Sequence, residues 1–268
     1  MQILIVGGGN MGLTYAQSFL RSHITSQENM MILEKSIEKA FVLAEKEIGT
    51  VYGNPKDCLP QADLVILAVK PQDHTTLFEQ IKPSVQEQQV FLSIMAGVKI
   101  QSIQEGLGIK KVIRAMPNLP AQIGMGMTAF NASEEVTRIE LVTVQNLLST
   151  TGKTIYVEKE DFIDAATAIS GSGPAYVWYF MDAMMSAARN MGFSESEAEL
   201  LVGQTFRGAI ELYNKTDFSC QEWINRVSSK GGTTEAAMKK MRQLEVHEHI
   251  VAGAKAALER AVELGKLE

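Results

Sequence analysis

Gly7, Gly9 and Gly12 stand in the spacing G-x-G-x-x-G, within the string Gly7-Gly8-Gly9-Asn10-Met11-Gly12 and directly after the apolar run Ile3 to Val6. Glycine at those three places lets main chain do what a side chain would block. The first permits a tight turn, the second lets backbone approach a pyrophosphate, and the third lets the following helix lie close on the strand. The N–H groups that open that helix, from Asn10 and Met11 onward, then face the anion with the helix dipole behind them. The spacing predicts a dinucleotide site at a strand-to-helix junction. Glu34 follows Gly12 by 22 positions, where such a site places a carboxylate to accept from the adenosine ribose hydroxyls. Lys35 and Ser36 come next.

A second group suits a small carboxylate. Ser229-Lys230-Gly231-Gly232-Thr233-Thr234 is a glycine turn opening a helix, so several backbone N–H groups and hydroxyls can converge on one anion. Taken alone, Ser229 and Thr233 serve equally well as helix caps. Other chemistries lack their residues. The four histidines form no Ser-His-Asp order and no H-E-x-x-H; His23 falls in a loop, His247 and His249 on a polar helix, and His74 in a loop after Val-Lys-Pro-Gln-Asp. Cys58 and Cys220 are far apart, without metal-ligand spacing, so no metal site and no disulfide are expected, and a reducing cytoplasm fits best. A formal charge of -6 gives no general attraction to phosphate backbones or anionic membranes, so neither nucleic acid nor membrane is an expected partner. The run Ile3 to Val6 is too short for a signal-peptide core or a membrane span.

These groups need a framework, and 268 residues with 46% apolar content and only 7 prolines can supply a packed core. Short β-branched runs at Gln2–Val6, Met30–Leu33, Thr50–Tyr52, Leu64–Val69, Val90–Ile94, Lys111–Arg114, Met125–Phe130 and Thr154–Val157 read as strands. Met11, Tyr15 and Phe19 recur at helical spacing, and Ser36 can cap a helix carrying Ala40, Phe41 and Ala44, so the strands are joined by crossover helices. A run such as Leu-Val-Ile-Leu-Ala-Val wants burial on both faces, which argues for a covered parallel sheet. After about Glu160 alanine, methionine and glutamate dominate, and helices are expected over 162–191, 194–215, 219–227, 233–242 and 246–264. Gly171-Ser172-Gly173-Pro174 interrupts the first of them. Methionines 181, 184, 185 and 191 read as core or interface filling. The expectation is an α/β chain: a Rossmann-type dinucleotide-binding domain over 1–159, then an all-helical domain over 160–268.

Six strings carry more. Gly7 to Gly12, Ala68-Val69-Lys70-Pro71-Gln72, Ser93-Ile94-Met95-Ala96-Gly97-Val98, Arg114-Ala115-Met116-Pro117-Asn118, Ser170-Gly171-Ser172-Gly173-Pro174-Ala175-Tyr176 and Ser228-Ser229-Lys230-Gly231-Gly232-Thr233-Thr234 together resemble the pyrroline-5-carboxylate reductase family. The resemblance spans the chain from first strand to last helices, and its last two strings are the specific ones. It implies reduction of the C=N bond of 1-pyrroline-5-carboxylate by NADH or NADPH to L-proline, the closing step of proline synthesis. It places Ala68, Val69, Lys70 and Pro71, with Met95, Ala96 and Gly97, near the nicotinamide half and Asn54 near the adenosine. It assigns the substrate carboxylate to the Ser229–Thr233 turn, with Gly231 and Gly232, and the catalytic position to Thr234. It makes the helical half a dimerisation domain whose helices interlock between two subunits, each active site borrowing the partner's glycine turn, with further association of dimers open. Two departures stand out: the family often has proline where this chain has Lys230, and alanine where it has Met95.

Alternatives and the cofactor choice follow from the same residues. A 3-hydroxyisobutyrate-type dehydrogenase shares a Rossmann half followed by helices but wants a catalytic lysine in the second half, where no suitable one stands. A regulatory nucleotide-binding homologue without turnover is the non-enzymatic reading. Glu34 favours NADH, because a carboxylate there meets the 2′-phosphate of NADPH as a like charge, while Lys35 and Ser36 favour NADPH. The two effects compete within about 1–2 kcal/mol, so both cofactors are expected to serve, with a lean toward NADH and no preference larger than roughly thirtyfold.

Overall fold

The computed structural model describes residues 1–266. Among them one sheet holds β1 (Ile3–Val6), β2 (Met30–Leu33), β3 (Thr50–Tyr52), β4 (Leu64–Leu67), β5 (Val90–Ser93), β6 (Val112–Met116), β7 (Gly126–Ala132) and β8 (Gly152–Tyr156). Their order is β3-β2-β1-β4-β5-β6-β7-β8. β1 to β6 run parallel; β7 pairs antiparallel to β6, and β8 lies parallel to β7. Connecting them are α1 (Asn10–Arg21), α2 (Ile37–Ala44), α3 (Pro55–Cys58), α4 (His74–Ile81), α5 (Ile100–Leu107) and α6 (Arg138–Ser149). Every residue of β1, β2, β4 and β5 is buried, as strands covered on both faces require. Alternation along β1 decides which face each residue serves. Ile3 and Ile5 join Tyr15 and Phe19 of α1 and Leu147 of α6, while Leu4 and Val6 join Phe78 of α4 and Ile103 of α5.

All eight strands expected from the sequence form, with ends shifted by a few residues. One differs in direction: Met125–Phe130 belongs to a strand that reverses the sheet, because no crossover helix separates β6 from β7. Only a short 3-10 turn over Leu119–Ile123 lies between them, too little chain for a parallel return.

α7 (Asp161–Ala166) is tied to β6 by charge. Arg114 is fully buried and donates from Nη1 to Glu160 Oε1 at 3.0 Å and from Nη2 to Asp164 Oδ1 at 2.5 Å, while its Nε has no partner. Glu160 Oε1 also accepts the Ile100 N–H at 2.8 Å. The chain then widens into a π-turn over Thr167–Gly171 before α8 (Gly173–Asn190), so the expected long helix is split at the expected glycines. Asn118 clamps this turn: its Nδ2 donates to Ser170 O at 3.0 Å and its Oδ1 accepts the Met127 N–H at 2.9 Å. A Cβ on Gly171 would come within 2.9 Å of Met116 Cε.

The remaining helices are α9 (Glu195–Asn214), α10 (Cys220–Val227), α11 (Thr233–Gln243) and α12 (Val246–Leu264). The chain divides into two compact units, Met1–Ser172 together with the residues from Ala257 on, and Gly173–Ala256. Ser194 and Ser219 open α9 and α10 in capping boxes with Glu197 and Glu222. Hydrogen bonds from each serine's hydroxyl and then its N–H hold those two carboxyls below the ordinary range. In this second unit Tyr179, Met191 and Leu200 are 76%, 78% and 72% exposed, so the apolar faces of its helices are not spent on the chain's own core.

Candidate active site

The parallel strands deliver their carboxyl ends to one edge of the sheet, and the glycine string leaves from the centre of that edge, between β2 and β4. Gly7 has φ +105° and donates its N–H to Leu33 O at 3.0 Å; a Cβ there would lie 2.9 Å from Ala68 O. At Gly12 a Cβ would lie 2.4 Å from Gly7 O and 3.0 Å from Ile5 Cγ2. At Gly9, which precedes α1 and caps it with no side-chain bond, a Cβ would meet nothing within 4 Å. The turn, the close packing and the open approach are thus separately accounted for. The uncapped first turn of α1, beginning at Asn10 and Met11, has N–H groups without helical partners, which fits a dinucleotide pyrophosphate. Gly12→Ala is expected to weaken NADH affinity at least tenfold on fluorescence titration, since the added methyl must displace the main chain of Gly7.

Neighbouring strand ends bring the other expected residues to the same edge. Glu34 Oε2 accepts the Gly8 N–H at 3.1 Å and Oε1 accepts the Ser36 N–H at 2.9 Å. Lys35 is exposed, and Ser36 caps α2 by accepting the Lys39 N–H at 3.4 Å. Asn54, two residues past β3, caps α3 by accepting the Lys56 N–H at 3.1 Å. Ala68 follows β4 and donates its N–H to Val6 O at 2.9 Å. Val69 approaches Gly7, and Lys70 and Pro71 begin a 3-10 turn whose Pro71 carbonyl lies 2.6 Å from His74 Nδ1. After β5 come Met95, Ala96 and Gly97. Met95 is 2% exposed and packs in the apolar layer, so its extra bulk relative to alanine is taken up by the core. Gly97, at φ +79°, abuts the end of α12: a Cβ on it would lie 2.9 Å from Leu264 Cβ. Sequence patterns give no sign of that last contact.

The second set lies in the second unit. Gly232 donates its N–H to Ser229 O at 2.9 Å, Gly231 adopts φ +73°, and Ser229 Oγ sits 2.5 Å from where a Gly232 Cβ would be. The capping reading of Ser229 and Thr233 does not hold. Gly232 precedes α11 and caps it without any side-chain bond, while Thr233 and Thr234 are its first two residues. Their N–H groups have no helical partner and are open to an anion. Glu235, three residues past the cap, accepts the Gly231 N–H at 2.6 Å. A groove of about 660 Å³ runs along the turn, lined by Gly231, Gly232 and Glu235 and, one and two turns further, by Lys239 and Arg242. The sequence reading omits these last three, although their spacing of roughly four places them on one helical face.

Comparison with known proteins adds to this geometry. Residues 160–264 match the family model for pyrroline-5-carboxylate reductase dimerisation, and residues 2–97 match that for NADP oxidoreductase, coenzyme F420-dependent. The chain is 32% identical to pyrroline-5-carboxylate reductase 2 of Bacillus subtilis, over 98% of its own length and 95% of the relative's. Among solved structures it resembles a pyrroline-5-carboxylate reductase from Coxiella burnetii, with a TM-score of 0.89, 31% identity and 98% of each chain covered. It also resembles the Plasmodium falciparum pyrroline carboxylate reductase with NADP bound, with a TM-score of 0.89, 26% identity, and 99% and 98% covered.

Proposed function

Because the chain belongs to the pyrroline-5-carboxylate reductase family, we propose that it reduces 1-pyrroline-5-carboxylate to L-proline with NADH or NADPH, the last step of proline biosynthesis. The observation that carries this is the pairing of two ready anion sites in one chain: the uncapped start of α1 behind three glycines, and the uncapped start of α11 behind the Ser229 turn. When bound, the nicotinamide supplies the hydride that adds to the imine carbon, and the nitrogen gains a proton. No covalent nucleophile is required; orientation is.

Gly7, Gly9, Asn10, Met11 and Gly12 would take the pyrophosphate, Glu34 and Lys35 with Asn54 the adenosine end, and Ala68–Pro71 with Met95–Gly97 the nicotinamide end. Ser229, Gly231, Gly232 and Thr233 would fix the substrate carboxylate, with the free N–H groups of α11 as principal donors. Thr234, next on the helix, would present its hydroxyl to the substrate nitrogen. The functional division proposed is cofactor handling by 1–159 and substrate binding with self-association by 160–268. The exposed apolar faces of α8 and α9 support a homodimer in which each site takes the glycine turn of its partner. Two unpaired cysteines suit a cytoplasmic enzyme.

The test is direct. Purified protein supplied with pyrroline-5-carboxylate is expected to oxidise NADH or NADPH and release proline, and to sediment as a multiple of the 29.4 kDa chain. Absence of turnover with both cofactors would leave a nucleotide-binding protein; an active monomer would remove the shared site.

A further inference from the structure

We propose that Asn118 is a positioning residue for hydride transfer: it holds the main chain of Ser170–Ser172 in place as one wall of the nicotinamide end of the site. The inference rests on the reading of the chain as a nicotinamide-dependent reductase. Two of the six strings, Arg114–Asn118 and Ser170–Tyr176, belong to neither anion site, yet folding brings Asn118 and Ser170 together. β5 and β6 are paired at Ser93 and Arg114, so the turn Met95–Gly97 and the residues Met116–Asn118 leave the same edge of the sheet side by side. The segment that holds the π-turn is fastened to both. Asn118 Nδ2 donates to Ser170 O at 3.0 Å, and a Cβ on Gly171 would come within 2.9 Å of Met116 Cε. Glu160, just ahead of α7, accepts the Ile100 N–H at 2.8 Å, three residues past Gly97.

Main-chain chemistry explains why this turn needs a clamp. In an α-helix Ser170 O would take the N–H four residues on, but that residue is Pro174, which has none. The Ser172 N–H instead reaches back five residues to Thr167 O at 2.8 Å, and Ser170 O is left to a donor from outside the helix. Asn118 is that donor. Its Oδ1 accepts the Met127 N–H at 2.9 Å, and since one partner is a carbonyl and the other an N–H, only one orientation of the amide satisfies both. Ser170, Gly171 and Ser172 are half-buried, so this main chain lines the edge of the fold rather than its core. Single π-turns recur at functional sites. Hydride transfer depends on holding two carbons at attack distance, and a displacement of about 1 Å in what supports them costs roughly a hundredfold in rate. Cofactor affinity, by contrast, draws on the pyrophosphate and adenosine contacts at the other strand ends.

The experiment compares the parent chain with Asn118→Asp and Asn118→Ala. Aspartate keeps an acceptor for the Met127 N–H but has no donor for Ser170 O; alanine has neither. Amide hydrogen exchange is measured at Ser172 and Met127, Kd for the reduced cofactor by fluorescence titration, and kcat with pyrroline-5-carboxylate at saturation. Ser172 exchange should quicken at least tenfold in both variants, and Met127 exchange in Asn118→Ala alone. Both should lose about ten- to a hundredfold in kcat, with Kd for the cofactor changed less than threefold. Faster Ser172 exchange with unchanged kcat overturns the positioning role, and so does a loss of cofactor affinity as large as the loss of kcat, which marks general support of the fold. Unaltered Ser172 exchange in both variants overturns the clamp. A parent that binds cofactor without turnover refutes the reductase reading and the positioning role with it, while the exchange rates still decide whether Asn118 holds the turn. Should Asn118→Ala fail to fold, Asn118→Asp, which keeps the bond to β7, carries each comparison.

Discussion

Thr234→Ala is expected to lower turnover of pyrroline-5-carboxylate by about tenfold to a thousandfold, the range found when a positioned donor or acid–base group is removed. That corresponds to roughly 1.4–4 kcal/mol of barrier. Thr234 is the second residue of α11, after a cap that uses no side chain, so its hydroxyl is not needed to start the helix. Loss of the hydroxyl should therefore spare the melting temperature and spare nucleotide affinity, which the proposed function assigns to the glycine turn in the other unit. Thr234→Ser, which keeps the hydroxyl, should restore most of the rate. A fall in kcat at constant Kd for NADH, rescued by serine, identifies a group acting at the reacting atoms. Equal loss in both variants would point to the methyl group and to packing, and unchanged kinetics would reduce Thr234 to an ordinary helix residue.

The largest stability effect is expected at Arg114. Replacing it by methionine leaves Asp164, whose side chain is 3% exposed, and Glu160, at 23%, without their cation. Removing one partner of a buried ion pair costs about 3–5 kcal/mol, because the desolvated charge remains. For a chain of this length the melting temperature should fall by on the order of 10 °C. The double variant Arg114→Met, Asp164→Leu should recover most of the loss, since exchanging an entire buried pair for apolar groups is close to neutral. Failure to recover would assign the stability to the Glu160 bond or to β6 packing. The substitution also tests what binds α7 to the sheet, because Arg114 is the residue that joins β6 to both acids.

Much of this was legible in the chain itself. Local main-chain requirements leave marks in sequence: positive φ at Gly7 and no room for a Cβ at Gly12 demand glycine, while Gly9 faces open space, so the spacing announces the turn. The burial of β1, β2, β4 and β5 on both faces likewise shows as unbroken apolar runs, and the serine and glutamate pairs at 194 and 219 announce the starts of α9 and α10. The six strings identified the family, and several of them record residues whose type a tight turn, a buried ion pair or a close approach constrains.

What tertiary structure alone decided are the pairings between positions distant in sequence, for which one chain carries no local signal. Arg114 reads as a cation in a strand until two acids, 46 and 50 residues on, are brought beside it. Asn118 reads as a loop residue until the π-turn at 170 closes on it, and Gly97 as a turn glycine until Leu264 arrives against it. The reversal of β7 depends on how a short connection runs in space. Glu34 is the clearest case. Its type and place in the sequence suggested a ribose acceptor, but that its two oxygens hold the Gly8 and Ser36 amides is set by folding alone.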